Sequence, residues 1–340
     1  MFISEFDDDA PVDTGPKEAK PKLHVEEVVL RPELSLDQAE DKWLNQRLDD
    51  SCVKHRPEVS TCYRTPDGKA KLIFLRDVLD PDIYARAYEH VRNIKYTPAS
   101  NSRRAALKDS PGGDALFGYK DELQLLPHSG RRQTYPEWTA PSVHQFPRFR
   151  GLWPLCRNME DVLREYLPDY WQGPQCANKE GILGYWRGRE IGDWHGPAPR
   201  GDLQQNEFYK YPKAYQRDIR SWSNWDLFYN IGGSNFTGLS VNHNTIFRAH
   251  KDANNSSGAL SCLAAFGNFR GGDLGFPRLG VAIDARERDL LVCDCLRELH
   301  GTLPLRGTRY SVVAYTKEGL TRAGTGRVLD YKTHEKLWSY

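Results

Sequence analysis

Apolar residues recur along this chain with two different periods, and the change between them falls near residue 227. Upstream, the spacing is helical in places. Ser35-Leu-Asp-Gln38 has the form of a capping box, in which two side chains satisfy each other's free backbone N–H groups. It predicts a helix through Trp43, Leu44 and Leu48. A strand-like run, Lys71-Leu-Ile-Phe-Leu-Arg76, is followed by Asp80-Pro81, an N-cap and a proline at the first helical position. The predicted helix lays Ile83, Tyr84, Ala87, Tyr88, Val91 and Ile94 on one face. Another amphipathic helix is predicted from Asn158 to Leu167. Residues 95–150 are broken by Pro, Gly and Arg, and 171–225 form an irregular stretch of Trp, Tyr and Gly.

Downstream the pattern becomes short apolar runs separated by turn residues: Asp226–Ile231, Gly238–Phe247, Gly258–Ala265, Asp273–Phe276, Val281–Asp284, Leu290–Cys295 and Tyr310–Thr316. Closely spaced short strands argue for an antiparallel sandwich or barrel and against βαβ units. Residues 1–34 lack an apolar pattern and read as a flexible acidic tail. One domain over 35–340, with its strand-rich core at about 226–318, is the simplest division.

Composition sharpens this only in places. Hydrophobic residues make up 39% of the 340, enough for a sizeable core. No apolar run approaches bilayer length, and the N-terminus lacks the basic and apolar regions of a secretory signal, so an intracellular protein without a membrane partner is expected. The seven cysteines are odd in number and irregularly spaced, which reads as reduced, buried thiols; Cys293-x-Cys295 has no second pair to complete a zinc site. Net charge is +1, but residues 1–40 hold four Lys/Arg against eleven Asp/Glu, a net of −7, leaving +8 for the rest. A moderately basic body suits a partner bearing phosphates. Arg103-Arg104, Arg131-Arg132 and the group Lys210, Lys213, Arg217 and Arg220 are the candidate contacts.

The chemistry concentrates in three short motifs. His250-Lys-Asp252 follows a strand-like run, and residues i and i+2 of an extended chain project to the same side. His300 lies fifty residues on, just past the run Leu290–Cys295, and Arg309-Tyr-Ser311 follows nine later. Two imidazoles and one carboxylate form a facial triad that suits non-haem Fe(II) and leaves positions open for a keto acid and O2. The keto acid's far carboxylate needs a buried cation that can bond it twice. Arg309 is placed for that, with Ser311 on the same strand face. Asn242, Asn244 and Arg248 are the candidates for the near carboxylate, and strand alternation alone does not choose among them. Asp193-Trp-His195 has metal-ligand spacing but no third ligand nearby and reads as loop packing.

At these residues the sequence resembles the TET/JBP (ten-eleven-translocation and J-base-binding-protein) branch of the 2-oxoglutarate oxygenases. The likeness is strongest over about 239–316 and includes Phe266-Gly-Asn-Phe-Arg-Gly-Gly-Asp273-Leu and the Asp289-Leu-Leu-Val292 segment leading to His300. The resemblance implies an α+β protein with a double-stranded β-helix, or jelly-roll, core supported by N-terminal helices. It implies Fe(II), 2-oxoglutarate and O2 as cofactors and double-stranded DNA with a flipped base as partner, hence a nuclear location in a eukaryote. The reaction it implies is oxidation of a base methyl group. By the same resemblance His250, Asp252 and His300 are the iron ligands, Arg309 the 2-oxoglutarate clamp and Tyr315 the base-stacking aromatic. Some members that oxidise 5-methylcytosine carry an aspartate five residues after the first metal histidine, where this chain has Asn255. Asparagine donates and accepts, so 5-methylcytosine, thymine and N6-methyladenine all stay open. Two other readings share the core: a protein side-chain hydroxylase, and an inactive nucleic-acid-binding relative.

Overall fold

Strands that are apolar at every position are buried on both faces, and this chain has several. A computed structural model describes residues 23–68, 70–98, 108, 112–125, 132–138, 145–166, 231, 234, 236–253, 255 and 259–317. Its strands are β1 (Glu26–Val29), β2 (Thr61–Arg64), β3 (Ala70–Leu75), β4 (Thr97–Pro98), β5 (Gly113–Leu125), β6 (Arg132–Trp138) and β7 (Gly238–His243). They continue with β8 (Ser261–Gly271), β9 (Leu274–Phe276), β10 (Val281–Ile283), β11 (Leu290–Cys293), β12 (Gly301–Thr302) and β13 (Leu305–Tyr315). The large sheet runs β1-β2-β3-β11-β8-β13-β7-β5-β4, with β6 paired to β5, and the small one runs β10-β9-β12. Among these described strands only β1–β2 is parallel.

Side-chain alternation divides the core in two. Ile73, Leu75, Cys262, Ala264, Leu290, Val292, Val312 and Ala314 face the helices, while their neighbours Leu72, Phe74, Leu263, Ala265 and Leu291 face the small sheet's Leu274, Phe276, Val281 and Ile283. Two facing sheets, one of them backed by helices, make the jelly-roll core of an α+β protein.

The helices are α1 (Leu36–Trp43), α2 (Pro81–Arg92), α3 (Phe146–Gly151) and α4 (Trp153–Tyr166). The capping box at Ser35 is present: its hydroxyl accepts from the Gln38 N–H at 3.2 Å, and Gln38 accepts from the Ser35 N–H at 2.9 Å. Asp80 caps α2, accepting from the Asp82 and Ile83 N–H groups at 3.0 Å. Tyr84 then stacks on Phe266 at 4.4 Å and donates its hydroxyl to the Ala265 carbonyl at 2.6 Å, fastening α2 to β8.

Three expectations are corrected. The tail does not extend to residue 34: β1 adds to the sheet beside β2, with Leu23 and Val25 against the helix-side core and Val28 and Leu30 against the inter-sheet core. The helix expected from Asn158 starts at Trp153, because Pro154 sits in the first turn, where a missing N–H costs nothing. Residues 95–150, broken by Pro, Gly and Arg and assigned no element from the sequence, hold β4, β5, β6 and most of α3. Residues 1–22, Asp226–Asn230, Asp193–His195 and the lysines and arginines at 210–220 lie outside the described residues. Among the described residues no helix is long and apolar enough to cross a membrane.

Candidate metal centre and co-substrate cavity

The two histidines are brought together by backbone before their side chains matter. The His250 N–H donates to the His300 carbonyl at 2.9 Å and the His300 N–H to the His250 carbonyl at 3.0 Å, an isolated antiparallel bridge. Asp252 follows two residues on, its N–H donating to the Cys295 carbonyl at 2.8 Å. One ligand atom each from His250, Asp252 and His300 then falls within 4.8 Å of the others. His250 Nε2 lies 3.7 Å from Asp252 Oδ1 and His300 Nε2 lies 3.9 Å from Oδ2.

Tautomers follow from the opposite ring atoms. His250 Nδ1 is 2.8 Å from the Arg248 carbonyl and His300 Nδ1 is 3.1 Å from the Glu298 carbonyl. Carbonyls only accept, so each Nδ1 carries a proton, and Nε2 is the atom that faces the shared point and supplies the lone pair once a metal replaces any proton it holds. Burial pulls His300 toward its neutral form, but the Cys295 sulfur, the Asp252 carboxylate and the Glu298 carbonyl outweigh it and raise its pKa to about 9. This is a place that favours a cation. Cys295 is not part of that donor group; its contact with Cys293 at 2.9 Å, and burial, push its thiol well above the ordinary range. All six described cysteines are free and buried, as expected.

The triad opens into a cavity between the sheets that Asn242, Asn255, Arg309, Ser311 and Tyr315 also line. β13 supplies its floor. Arg309, Ser311, Val313 and Tyr315 alternate inward, the first two buried and the last two half-buried, so the row runs from the depth of the cavity outward. Arg309 is 6% exposed, and its Nε is buried without a hydrogen-bond partner. Burial lowers its pKa to about 10, against the pull of Asp273, so it stays charged at neutral pH. A buried, under-bonded guanidinium is a socket for a carboxylate. Next to it, Asn242 Nδ2 approaches Ser311 Oγ at 3.4 Å across the β7–β13 ladder. The Tyr315 ring packs over Gly238 of β7: a Cβ there would come within 2.7 Å of the ring. Asn255 is buried and donates Nδ2 to Ser261 Oγ at 2.9 Å.

Two expected members stand elsewhere. Arg248 and Asn244 do not line the cavity. Both follow the end of β7, where alternation stops governing side-chain direction. Arg248 serves through its carbonyl on His250. Asn244, at φ +49°, accepts from the Arg309 N–H at 2.8 Å and donates its own N–H to the Arg309 carbonyl at 2.8 Å. Thr245, Phe247 and Cys293 were not anticipated in the wall. Phe247 was legible only as a strand residue, although its ring lies 5.4 Å from that of His250.

These residues fit Fe(II) and 2-oxoglutarate: a three-point nitrogen and oxygen donor set, and in the same cavity a buried guanidinium whose Nε has no hydrogen-bond partner. Comparison with known proteins agrees. Residues 139–318 match the family model Tet_JBP, described as the oxygenase domain of the 2OGFeDO superfamily. No curated protein matches in sequence. Among solved structures, NgTET1 in complex with 5mC DNA is 13% identical, with a TM-score of 0.44, covering 88% of this chain and 84% of that one. OsALKBH1 is 11% identical (TM-score 0.36, 73% and 97% covered). A full-length Neurospora crassa protein in complex with alpha-KG and 5-formyluracil is 12% identical (TM-score 0.34, 72% and 74% covered). The family match, which spans more than half of the chain, carries the assignment and these likenesses do not. The protein therefore belongs to the Tet_JBP family of Fe(II)/2-oxoglutarate oxygenases, and Fe(II), 2-oxoglutarate and O2 are the cofactors of its chemistry.

Proposed function

We propose that this oxygenase hydroxylates the methyl group of a modified base in DNA, with 5-methylcytosine favoured over thymine and N6-methyladenine. The observation that carries the reading is the inward row of β13, which sets a charged anchor, a hydroxyl and an aromatic ring in sequence along one cavity with the triad. His250, Asp252 and His300 hold the metal. Arg309 bonds the far carboxylate of 2-oxoglutarate, with Ser311 beside it and Asn242 at the near carboxylate. When bound, Fe(II) with 2-oxoglutarate and O2 supplies the oxidising power to exchange a C–H for a C–OH bond, leaving succinate and CO2.

The chain's own part is placement and exclusion of water. Phe247 and Phe276 stand 5.4 and 6.2 Å from the rings of His250 and His300 and keep that side of the centre apolar. Tyr315 offers a ring face at the outer end of the row, suited to stacking a base withdrawn from the duplex. Asn255 has one N–H engaged by Ser261, and its carbonyl oxygen accepts from an exocyclic amino group, which cytosine and adenine possess and thymine lacks. A methyl C–H has no acidic proton, so no general base is required.

The test is nucleoside mass spectrometry after anaerobic loading with iron and 2-oxoglutarate and exposure to air. Duplexes carrying 5-methylcytosine, thymine or N6-methyladenine are compared, and succinate is measured in parallel. Hydroxymethylcytosine as the main product is expected. Succinate without any oxidised base in the three duplexes would turn the reading toward a protein substrate. No succinate at all would point to an inactive relative.

A further inference from the structure

We propose that Arg278 and Glu298 are positioning residues for the metal centre, their buried ion pair fixing the carbonyl that orients His300. The inference rests on the proposed role of His300 as a ligand. Glu298 is two residues before His300, and its carbonyl is the group on His300 Nδ1. Its side chain is 1% exposed and that of Arg278 11%. Arg278 meets it with a two-point fork, Nε to Oε2 at 2.7 Å and Nη2 to Oε1.

Arg278 comes from the turn between β9 and β10 in the small sheet, so the fork ties the segment before β12 to a second element. A further cation, Lys71 of β3, lies 4.0 Å from Glu298 and 3.0 Å from Asp294 Oδ2. The Glu298 N–H donates to the Asp294 carbonyl at 2.9 Å. Glu298 is thus held at its amide and at its carboxylate, which restrains the backbone that carries the carbonyl. A bidentate fork fixes orientation as well as distance. A buried ion pair is seldom more stabilising than apolar residues of the same volume, so stability is a weak reason for this one to be here. Holding an imidazole that must present a lone pair is a better one.

The experiment measures metal affinity and not turnover. Apo-protein is titrated calorimetrically with Co(II), the visible spectrum of the complex is recorded, and thermal midpoints are taken in parallel. Arg278→Lys keeps the charge and loses the fork; it is expected to bind Co(II) about tenfold more weakly, with an altered visible spectrum. The paired replacement Arg278→Met with Glu298→Met removes both buried charges. Its midpoint is expected to recover relative to Arg278→Met alone, while Co(II) binding stays weakened. Native Co(II) affinity and spectrum in a folded Arg278→Lys protein, or in the paired variant, would overturn the inference and leave the pair a packing element. A wild-type chain that binds Co(II) no better than His300→Ala would instead refute the metal centre itself. These two failures are distinguishable.

Discussion

Asn244 shows how a residue outside the cavity controls one inside it. Its positive φ turns the chain at the end of β7, and its side chain and N–H together grip both backbone polar groups of Arg309. Removing a hydrogen bond of this kind costs about 1 kcal/mol, or roughly fivefold in binding. Asn244→Ala should raise KM for 2-oxoglutarate by about that factor, and Asn244→Gly, which keeps the φ, should raise it less. Succinate formation against 2-oxoglutarate concentration decides this; an unchanged KM would free Arg309 from Asn244. At the other end of the row, Gly238→Ala drives a Cβ into the Tyr315 ring. Base oxidation should fall with that substitution while uncoupled succinate formation persists, and equal loss of both would deny Tyr315 a substrate role. The spacings H-x-D and R-x-S made His250, Asp252, Arg309 and Ser311 legible, because on extended chain i and i+2 share a side. Arg248 was misplaced because the strand had already ended.

At the scale of elements, caps and close packing make the expectations quantitative. Asp80→Ala removes two acceptor contacts at the start of α2 and should cost about 1 kcal/mol, measurable as a lower urea midpoint with an unchanged slope. The His90 ring in the last turn of α2 occupies the space that a Cβ on Gly151 of α3 would fill. Burial, aided by the Arg148 cation, holds His90 below its ordinary 6.5. The unfolded chain therefore takes up the proton more readily, and the contribution of His90 to stability, present above 6.5, is lost as pH falls through its lowered value. His90→Gln should flatten the decline of the thermal midpoint as pH falls below about 6.5; an unchanged decline assigns it to other groups. Helix starts could be read where a capping side chain announced them. β5 and β6 could not, since Gly, Pro and alternating charges hide strands whose pairing is supplied by β7 and by each other.

For the whole molecule, the centre links distant parts of the chain. His250, Asp252, His300 and Arg309 lie on segments that the sheets bring to one cavity, and whatever binds there stabilises the folded state alone. Iron with 2-oxoglutarate at about a hundred times its dissociation constant should contribute about 2.7 kcal/mol, a rise in thermal midpoint of roughly 4 °C. EDTA or His300→Ala should abolish the rise. A midpoint indifferent to iron would argue that the triad binds nothing.

The amino-acid sequence by itself marked the candidate donors and the candidate anchor, and determined the helix caps and the strand-rich second half, because these depend on residue type and local spacing. Tertiary structure decided what depends on pairing over long separations. It drew Glu26–Val29 out of an acidic leader into the sheet, closed the His250–His300 bridge and placed Asn244 behind Arg309. It also reached Arg278 across to Glu298. A backbone hydrogen bond or a buried ion pair leaves no periodic trace in the chain, since it constrains two positions and says nothing about the residues between them.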